Sequence, residues 1–395
     1  MKYHRVLVDA IVGATTQIFE TNQRADRVIE QVLKSDKRWG ARDRGFVAEN
    51  VYEIVRWWRL LQFVMPANSP HLDLFAAWQI LKGNTLPDWP EFQHINLCAI
   101  QAACAEAQKT RKIRESIPDW LDEIGVTELG KWWDEELSAL NHTAPAILRV
   151  NTLKSDLQTL QTALKNAGIE TDTLANVPQA LVLREKKNVF QTEFFKNGWF
   201  EVQDAGSQLI APFLDVRPGM RVIDACAGAG GKTLHLAALM QNKGQLIAMD
   251  IEDWKLQELR RRARRNGVSN VEARLIEAKT IKRLRASADR LLLDVPCTGL
   301  GVLRRNPDTK WKLQPDFLTQ IRATQYEILV NYSQMVKSGG QMVYATCSIL
   351  PSESEQQVQR FLQEQGSQWQ LLKEQRSSPA REGFDGFYMA SLTKI

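Results

Sequence analysis

The sequence predicts an α/β protein: a Rossmann-like, doubly wound parallel sheet, preceded by a small α/β module and an all-helical N-terminal domain. Three features carry that reading. Residues 206–346 alternate short apolar runs with helical stretches, the rhythm of strand–helix–strand units in a parallel sheet. The first of those runs ends in a glycine-rich loop, DACAGAGGKT at 224–233. Residues 1–142, by contrast, place their apolar side chains only at helical spacing.

At 395 residues the chain exceeds a usual single domain, so two or three are expected. The pattern changes set them at 1–142 (helical), 145–204 (small α/β module) and 205–395 (parallel sheet). Hydrophobic content of 44% and charged content of 25% are ordinary for a soluble globular protein. No apolar run approaches the roughly 20 residues of a membrane span, and MKYHRVLVDA lacks a secretory core and cleavage site. A cytoplasmic monomer is expected. The five cysteines form no C-x-x-C pair, which argues against a disulfide framework and a zinc site, so reduced thiols and no metal are expected. A net charge of +5 permits a polyanionic partner without demanding one.

In the helical domain the periodicity is carried by Val6, Leu7, Val8, Ile11 and Val12, by Val47, Val51, Ile54 and Val55, and by Ile95, Leu97 and Ile100. Its tryptophans are expected to pack a core, and Cys98 and Cys104 to be buried as small hydrophobes. Trp39 differs, because KRWGARDR at 37–44 interleaves four cations with the ring. That composition suits an RNA contact, and a solvated helix start explains it equally well.

Residues 147–151 read as a strand, 155–167 as a helix ending at Gly168, and 180–183 as a second strand. The sheet series follows: strands at 221–225, 245–251, 271–276, 290–295 and 341–346, with helices at 233–240 and 254–266. The strands are short and continuously apolar, as a sheet covered on both faces requires.

The loop Cys226, Ala227, Gly228, Ala229, Gly230, Gly231 and Lys232 is the cofactor candidate, since glycines let a ligand approach backbone and a helix N-terminus follows. It is not a phosphate-binding P-loop, which needs glycine where Cys226 stands, nor a dinucleotide fingerprint, which needs one where Thr233 stands. An adenosyl ligand fits better, with Asp250 at the end of the next strand to hold ribose hydroxyls.

Two further strand ends carry thiols: Cys297 in DVPCTGLG (294–301) and Cys347 in YATCS (344–348). Open α/β sheets place ligands at the carboxyl ends of their strands, which favours chemistry over packing for both. Cys226 reads as packing, and His235, one turn into a helix, as structural. No other histidine lies near a motif, which argues against a Cys-His hydrolase.

These motifs, with RRNPDTKW (304–311), TCSILP (346–351), RVNT (149–152), VQDAGS (202–207) and DGFY (385–388), closely resemble those of the RsmB/NSUN family of RNA cytosine-5 methyltransferases. The resemblance covers 145–395, and more weakly the N-terminal helices, which look like a NusB-like RNA-binding domain; the module at 145–204 is RRM-like. It implies an S-adenosylmethionine-dependent methyltransferase sheet acting on RNA, small-subunit 16S ribosomal RNA first and transfer RNA as the runner-up. It further implies Cys347 as nucleophile, Cys297 in product release, Asp294 against the base edge or cofactor, and Lys232 stabilising the same site. The sequence departs from the family at Ala229, where proline is usual, and at Glu277, where an aspartate would contact adenosine.

Cytosine carbon 5 is a poor nucleophile, and thiolate addition at carbon 6 activates it. RNA contacts are expected from Arg304, Arg305, Lys310 and Trp39. The arginines at 260–265 read either as phosphate contacts or as a solvated helix face. Two other functions compete. A DNA cytosine methyltransferase would use the Pro-Cys thiol, Cys297, as nucleophile, and a noncatalytic RNA-binding assembly factor would have little use for intact Cys297, Cys347, Asp294 and Lys232.

Overall fold

The computed structural model describes residues 3–395, which form two compact units. Among the described residues no helix is long and apolar enough to cross a membrane, and no group of three or more histidine, cysteine or acidic side chains is placed to hold a metal.

The helical unit comprises the chain through His142 together with Leu303–Pro315. Its core includes Val8, Ile11, Val47, Val51 and Ile54, whose helical spacing predicted it, together with Leu61 and Phe75; Val6 and Leu97, read in the same periodicity, are exposed. The inclusion of Leu303–Pro315 corrects the expected 205–395 domain, and its contacts supply the reason. Trp311 packs against the helical core and donates its indole N–H to the Val55 carbonyl at 2.7 Å. The Asp308 carboxylate accepts the Ala25 N–H at 3.0 Å, at the first turn of the helix Ala25–Ser35. It thereby serves a backbone donor that no intrahelical partner reaches, where negative charge also suits the helix dipole.

Burial here counts against two of the expected RNA contacts, Lys310 and Arg304. Lys310 is 2% exposed. Its Nζ donates to Asn141 Oδ1 at 3.3 Å, and burial, with Arg56 nearby, pushes its pKa well below the usual lysine range. Arg304 is buried, donates to the His142 carbonyl and has its own carbonyl bound by Arg56 at 2.9 Å. Trp39 is half-buried against the core, while Arg305 is half-buried as well. Sequence cannot separate such a cationic run from a surface one, because long cationic stems pack as hydrocarbon. Cys98 is exposed and Cys104 half-buried: the helix Leu97–Ala107 buries only Ile100 and Ala107.

The second unit, Thr143–Val302 with Asp316–Ile395, holds both the small module and the large sheet. The module is a four-stranded antiparallel sheet of β1 (Ile147–Val150), β2 (Thr171–Leu174), β3 (Val177–Leu183) and β4 (Phe200–Val202), in the order β2-β3-β1-β4. The large sheet comprises β5 (Arg221–Asp224), β6 (Gln245–Asp250), β7 (Val271–Leu275), β8 (Ala288–Asp294), β9 (Val336–Thr346), β10 (Trp369–Ser377) and β11 (Phe387–Lys394). Its order is β10-β11-β9-β8-β5-β6-β7. Strands β5 to β9 pair in parallel, and β11 runs antiparallel to both neighbours. Strand order reverses at β5, the switch point outside which α/β sheets bind ligands.

Candidate active site

Everything that carries chemistry sits at the carboxyl ends of β5, β6, β8 and β9. From β5 the chain turns through the glycine loop. The Ala227 N–H donates to the Met249 carbonyl at 2.8 Å, and the Gly228 N–H donates to Asp250 Oδ2 at 2.9 Å. Gly230 has φ +90°, and a Cβ there would lie 2.8 Å from Leu259, so both its conformation and its neighbour exclude a side chain. The helix Gly231–Leu239 follows.

Two arginines hold the loop carbonyls. Arg262 donates to Ala229 at 2.8 Å, and Arg149, from β1, donates to Gly231 at 2.7 Å. Burial pulls Arg149 down to about 9, which leaves it charged at neutral pH. Behind Arg262 stands Glu201 of β4, which accepts from Arg262 at 2.9 Å, from Arg265, and from Asn266 Nδ2 at 2.5 Å. Burial works to raise the Glu201 carboxyl, but the charge of Arg262 and the hydrogen bonds of Arg265 and Asn266 outweigh it, and its pKa is lowered. The loop is thus braced by the small module, a link no local motif announced.

Below the loop lies a cleft of about 240 Å³. Of the sequence-predicted cofactor residues, Cys226, Gly228, Asp250 and Asp294 line it, joined by Ile251, Glu252, Lys255, Ile276, Pro296, Ile328 and Tyr332. Asp250 accepts from the Gly228 and Glu252 N–H groups, one on each carboxylate oxygen; each oxygen keeps acceptor capacity. Ile251 is 72% exposed, an apolar side chain left open beside the cleft. Glu277 is not among the residues that line the cleft. Its N–H is taken by Thr280 Oγ1 in a turn, its side chain is exposed, and Ile276 lines the cleft instead.

Cys226 is raised well above the ordinary thiol value by burial, with Asp224 adding to it, which keeps it a thiol. His235 is buried and pushed well below its usual value by burial, the structural role expected of it. Asp224 is raised to about 7, first by burial and against the hydrogen bond of Thr233, with Asp294 adding to the rise. The folded state therefore keeps a proton that a free aspartate loses near 3.8, and stability falls as pH rises through that window. Asp224→Asn, which cannot ionise, is expected to flatten this part of the stability curve; urea unfolding at a series of pH values measures it.

Parallel pairing of β8 and β9, with Asp294 beside Ala345, brings the two thiols together. Cys297 and Cys347 stand 3.1 Å apart, sulfur to sulfur. Cys297 is pushed well above the ordinary thiol value, chiefly by its hydrogen bond with Cys347, then by burial, by the charge on Cys347 and by that of Glu353. Lys232 Nζ contacts Asp294 Oδ2 at 2.5 Å. Burial opposes the Lys232 charge, but Asp294 outweighs it and the lysine ends above its usual value. Gly301 closes the site: its N–H donates to the Cys347 carbonyl at 2.9 Å, and a Cβ there would lie 2.1 Å from the Gly386 carbonyl. Beneath the thiols Glu353, Thr298, Ser348 and Gln325 form a buried network that sequence reading missed.

The chain matches the model of the 16S rRNA methyltransferase RsmB/F over residues 211–393 and that of the RsmF/B-like ferredoxin-like domain over 117–190. It is 30% identical over 402 residues to ribosomal RNA small subunit methyltransferase B of Vibrio vulnificus, an alignment covering 99% of this chain and 91% of that protein. Among solved structures, PH0851 superposes with a TM-score of 0.84 over 100% of both chains at 24% identity. NSun6 from Pyrococcus horikoshii, solved with SFG, gives 0.65 over 71% of this chain and 99% of that one at 21% identity. With near full-length similarity to a relative of that name, and a methyltransferase sheet bearing the matched motifs, the chain belongs to the RsmB/F family of 16S rRNA methyltransferases.

Proposed function

We propose that the protein transfers a methyl group from S-adenosylmethionine to carbon 5 of a cytosine in RNA, small-subunit ribosomal RNA being the substrate, through a covalent bond between Cys347 and the ring. The observation that carries this reading is the thiol pair, 3.1 Å apart beside Lys232 and Asp294, at the edge of an acidic and apolar cleft. Asp250 suits a ribose diol, and Ile276 and Ile328 suit a flat ring. The family's printed name supports RNA as substrate and a methyl donor as cofactor. A structure of the same fold holds SFG, a donor analogue. S-adenosylmethionine, when bound, supplies an electrophilic methyl.

The chain's own groups do the rest. The Cys347 thiolate adds to carbon 6, and the displaced electron pair makes carbon 5 nucleophilic. Asp294, held by Lys232, accepts from the exocyclic amino group of the base and orients the ring, and the Lys232 ammonium offsets the negative charge arriving on it. After methylation a base takes the carbon 5 proton, and the electrons of that bond expel Cys347 as thiolate. Cys297, protonated and within hydrogen-bond reach, stabilises the departing sulfur. A base inside a duplex must first be flipped out, so single-stranded or distorted RNA is the easier target.

Bisulfite sequencing of total RNA from cells with and without the gene tests the reading. One protected cytosine in small-subunit ribosomal RNA is expected to lose protection. Loss confined to a transfer RNA would replace the substrate, and unchanged protection everywhere would reject the activity.

A further inference from the structure

We propose that Glu353 is the positioning residue of the thiol pair: one buried carboxylate ties together the two segments that carry Cys297 and Cys347, and its negative charge acts on Cys297. The inference rests on the reading of Cys347 as nucleophile. Glu353 is 0% exposed and accepts four hydrogen bonds. Oε2 takes the Thr298 N–H at 2.9 Å and Gln325 Nε2 at 2.9 Å; Oε1 takes the Thr298 and Ser348 hydroxyls at 2.5 Å each. Thr298 directly follows Cys297, and Ser348 directly follows Cys347. The same Gln325 amide donates to the Pro296 carbonyl at 2.9 Å, so the backbone is gripped on both sides of Cys297. Glu353 is itself fixed, its carbonyl accepting from Tyr344 Oη at 2.7 Å.

All four donors are neutral. A buried carboxylate served only by neutral groups is costly to desolvate, and hydrogen bonding alone does not demand it. A glutamine with its amide turned satisfies the same set: its oxygen accepts from Thr298 N–H and Gln325, and its NH₂ donates to the two hydroxyls, which accept as readily as they donate. What glutamine cannot supply is charge. The ionisable groups facing the thiols are Lys232, Asp294, Glu353 and Tyr344, and Lys232 is neutralised by Asp294 at 2.5 Å, whereas Glu353 has no cation among its bonded partners. Its field therefore acts on the sulfurs uncompensated, and it raises Cys297.

The test is Glu353→Gln, read first by thiol labelling in the full-length protein without RNA. Iodoacetamide labelling of each cysteine is followed by mass spectrometry over a pH series. In the unaltered protein Cys347 is expected to label faster than Cys297, whose thiol is pushed up. In Glu353→Gln, Cys297 labelling is expected to move to lower pH and rise about tenfold relative to Cys347, the change one pKa unit gives. A folded Glu353→Gln protein with unchanged labelling order and pH profile overturns the inference. Ser348→Ala covers the case of misfolding: it removes one donor, which favours protonation of Glu353, so Cys297 labelling should shift in the same direction as in Glu353→Gln, by less. A shift in the opposite direction overturns the inference equally. Methyl transfer enters neither readout, so a failure of the proposed activity is distinguishable from a failure of this assignment.

Discussion

Cys347→Ala is expected to abolish methyl transfer while leaving donor binding intact. Losing a nucleophile costs about 10⁴-fold or more in rate, because nothing else activates carbon 5. Neither Cys297, which its hydrogen bond and burial hold protonated, nor the thiol of Cys226, likewise raised by burial, substitutes for it at neutral pH. Cys347 is absent from the lining of the cleft, so donor affinity measured by calorimetry should stay within about twofold, under 0.5 kcal/mol. Cys297→Ala should behave differently: the adduct still forms, its release slows, and protein–RNA conjugates accumulate on denaturing gels. Equal loss in both variants without conjugates would remove the division of labour between the thiols.

Glu201→Ala is expected to cost stability and loosen the cofactor loop together. Its carboxylate binds Arg262, Arg265 and Asn266 while itself 96% buried, with only 4% of its side chain exposed. Removing one partner of a buried ion pair costs about 3–5 kcal/mol. Arg262 and Arg265 retain some access to water, which sets the expectation at the lower end, about 3 kcal/mol, or on the order of 10 °C in melting temperature for a unit of this size. Because Arg262 also holds the Ala229 carbonyl, donor affinity should fall with stability. Because the Glu201 pKa is lowered in the folded state, its contribution is present above the unfolded carboxylate value and is lost as pH falls below it. The gap between variant and unaltered protein should therefore narrow in acid, as thermal melts at several pH values would show.

The parallel strands β5, β6, β8 and β9 were legible because each carries a short apolar stretch, and β7, VEARL, because it lies between two helices; the glycine loop and both thiols were legible because they sit at strand ends with fixed neighbours. Strands β10 and β11 were not. β10 is largely exposed and rich in lysine, glutamate and glutamine, and β11 fills a buried slot with Met389, Ala390 and Ser391, residues of weak strand preference. Glu353 stayed hidden because its partners Thr298 and Gln325 are 55 and 28 residues away in sequence, and Glu201 because Arg262 is 61 away. Lys310 and Arg304 are buried for a reason sequence hides: charge is visible there, and whether a neighbouring helix covers it is not. Glu277 follows a strand whose place was legible, but the turn to Thr280 leaves its side chain exposed while Ile276 lines the cleft, which sequence does not show.

RNA carrying 5-fluorocytosine at the target position settles the role of Cys347, since fluorine at carbon 5 cannot leave as a proton does and the adduct stays on the enzyme. Digestion and mass spectrometry of the trapped conjugate should find the nucleotide on the peptide containing Cys347. Finding it on the peptide containing Cys297, or finding methylated product with no conjugate at all, would contradict the mechanism.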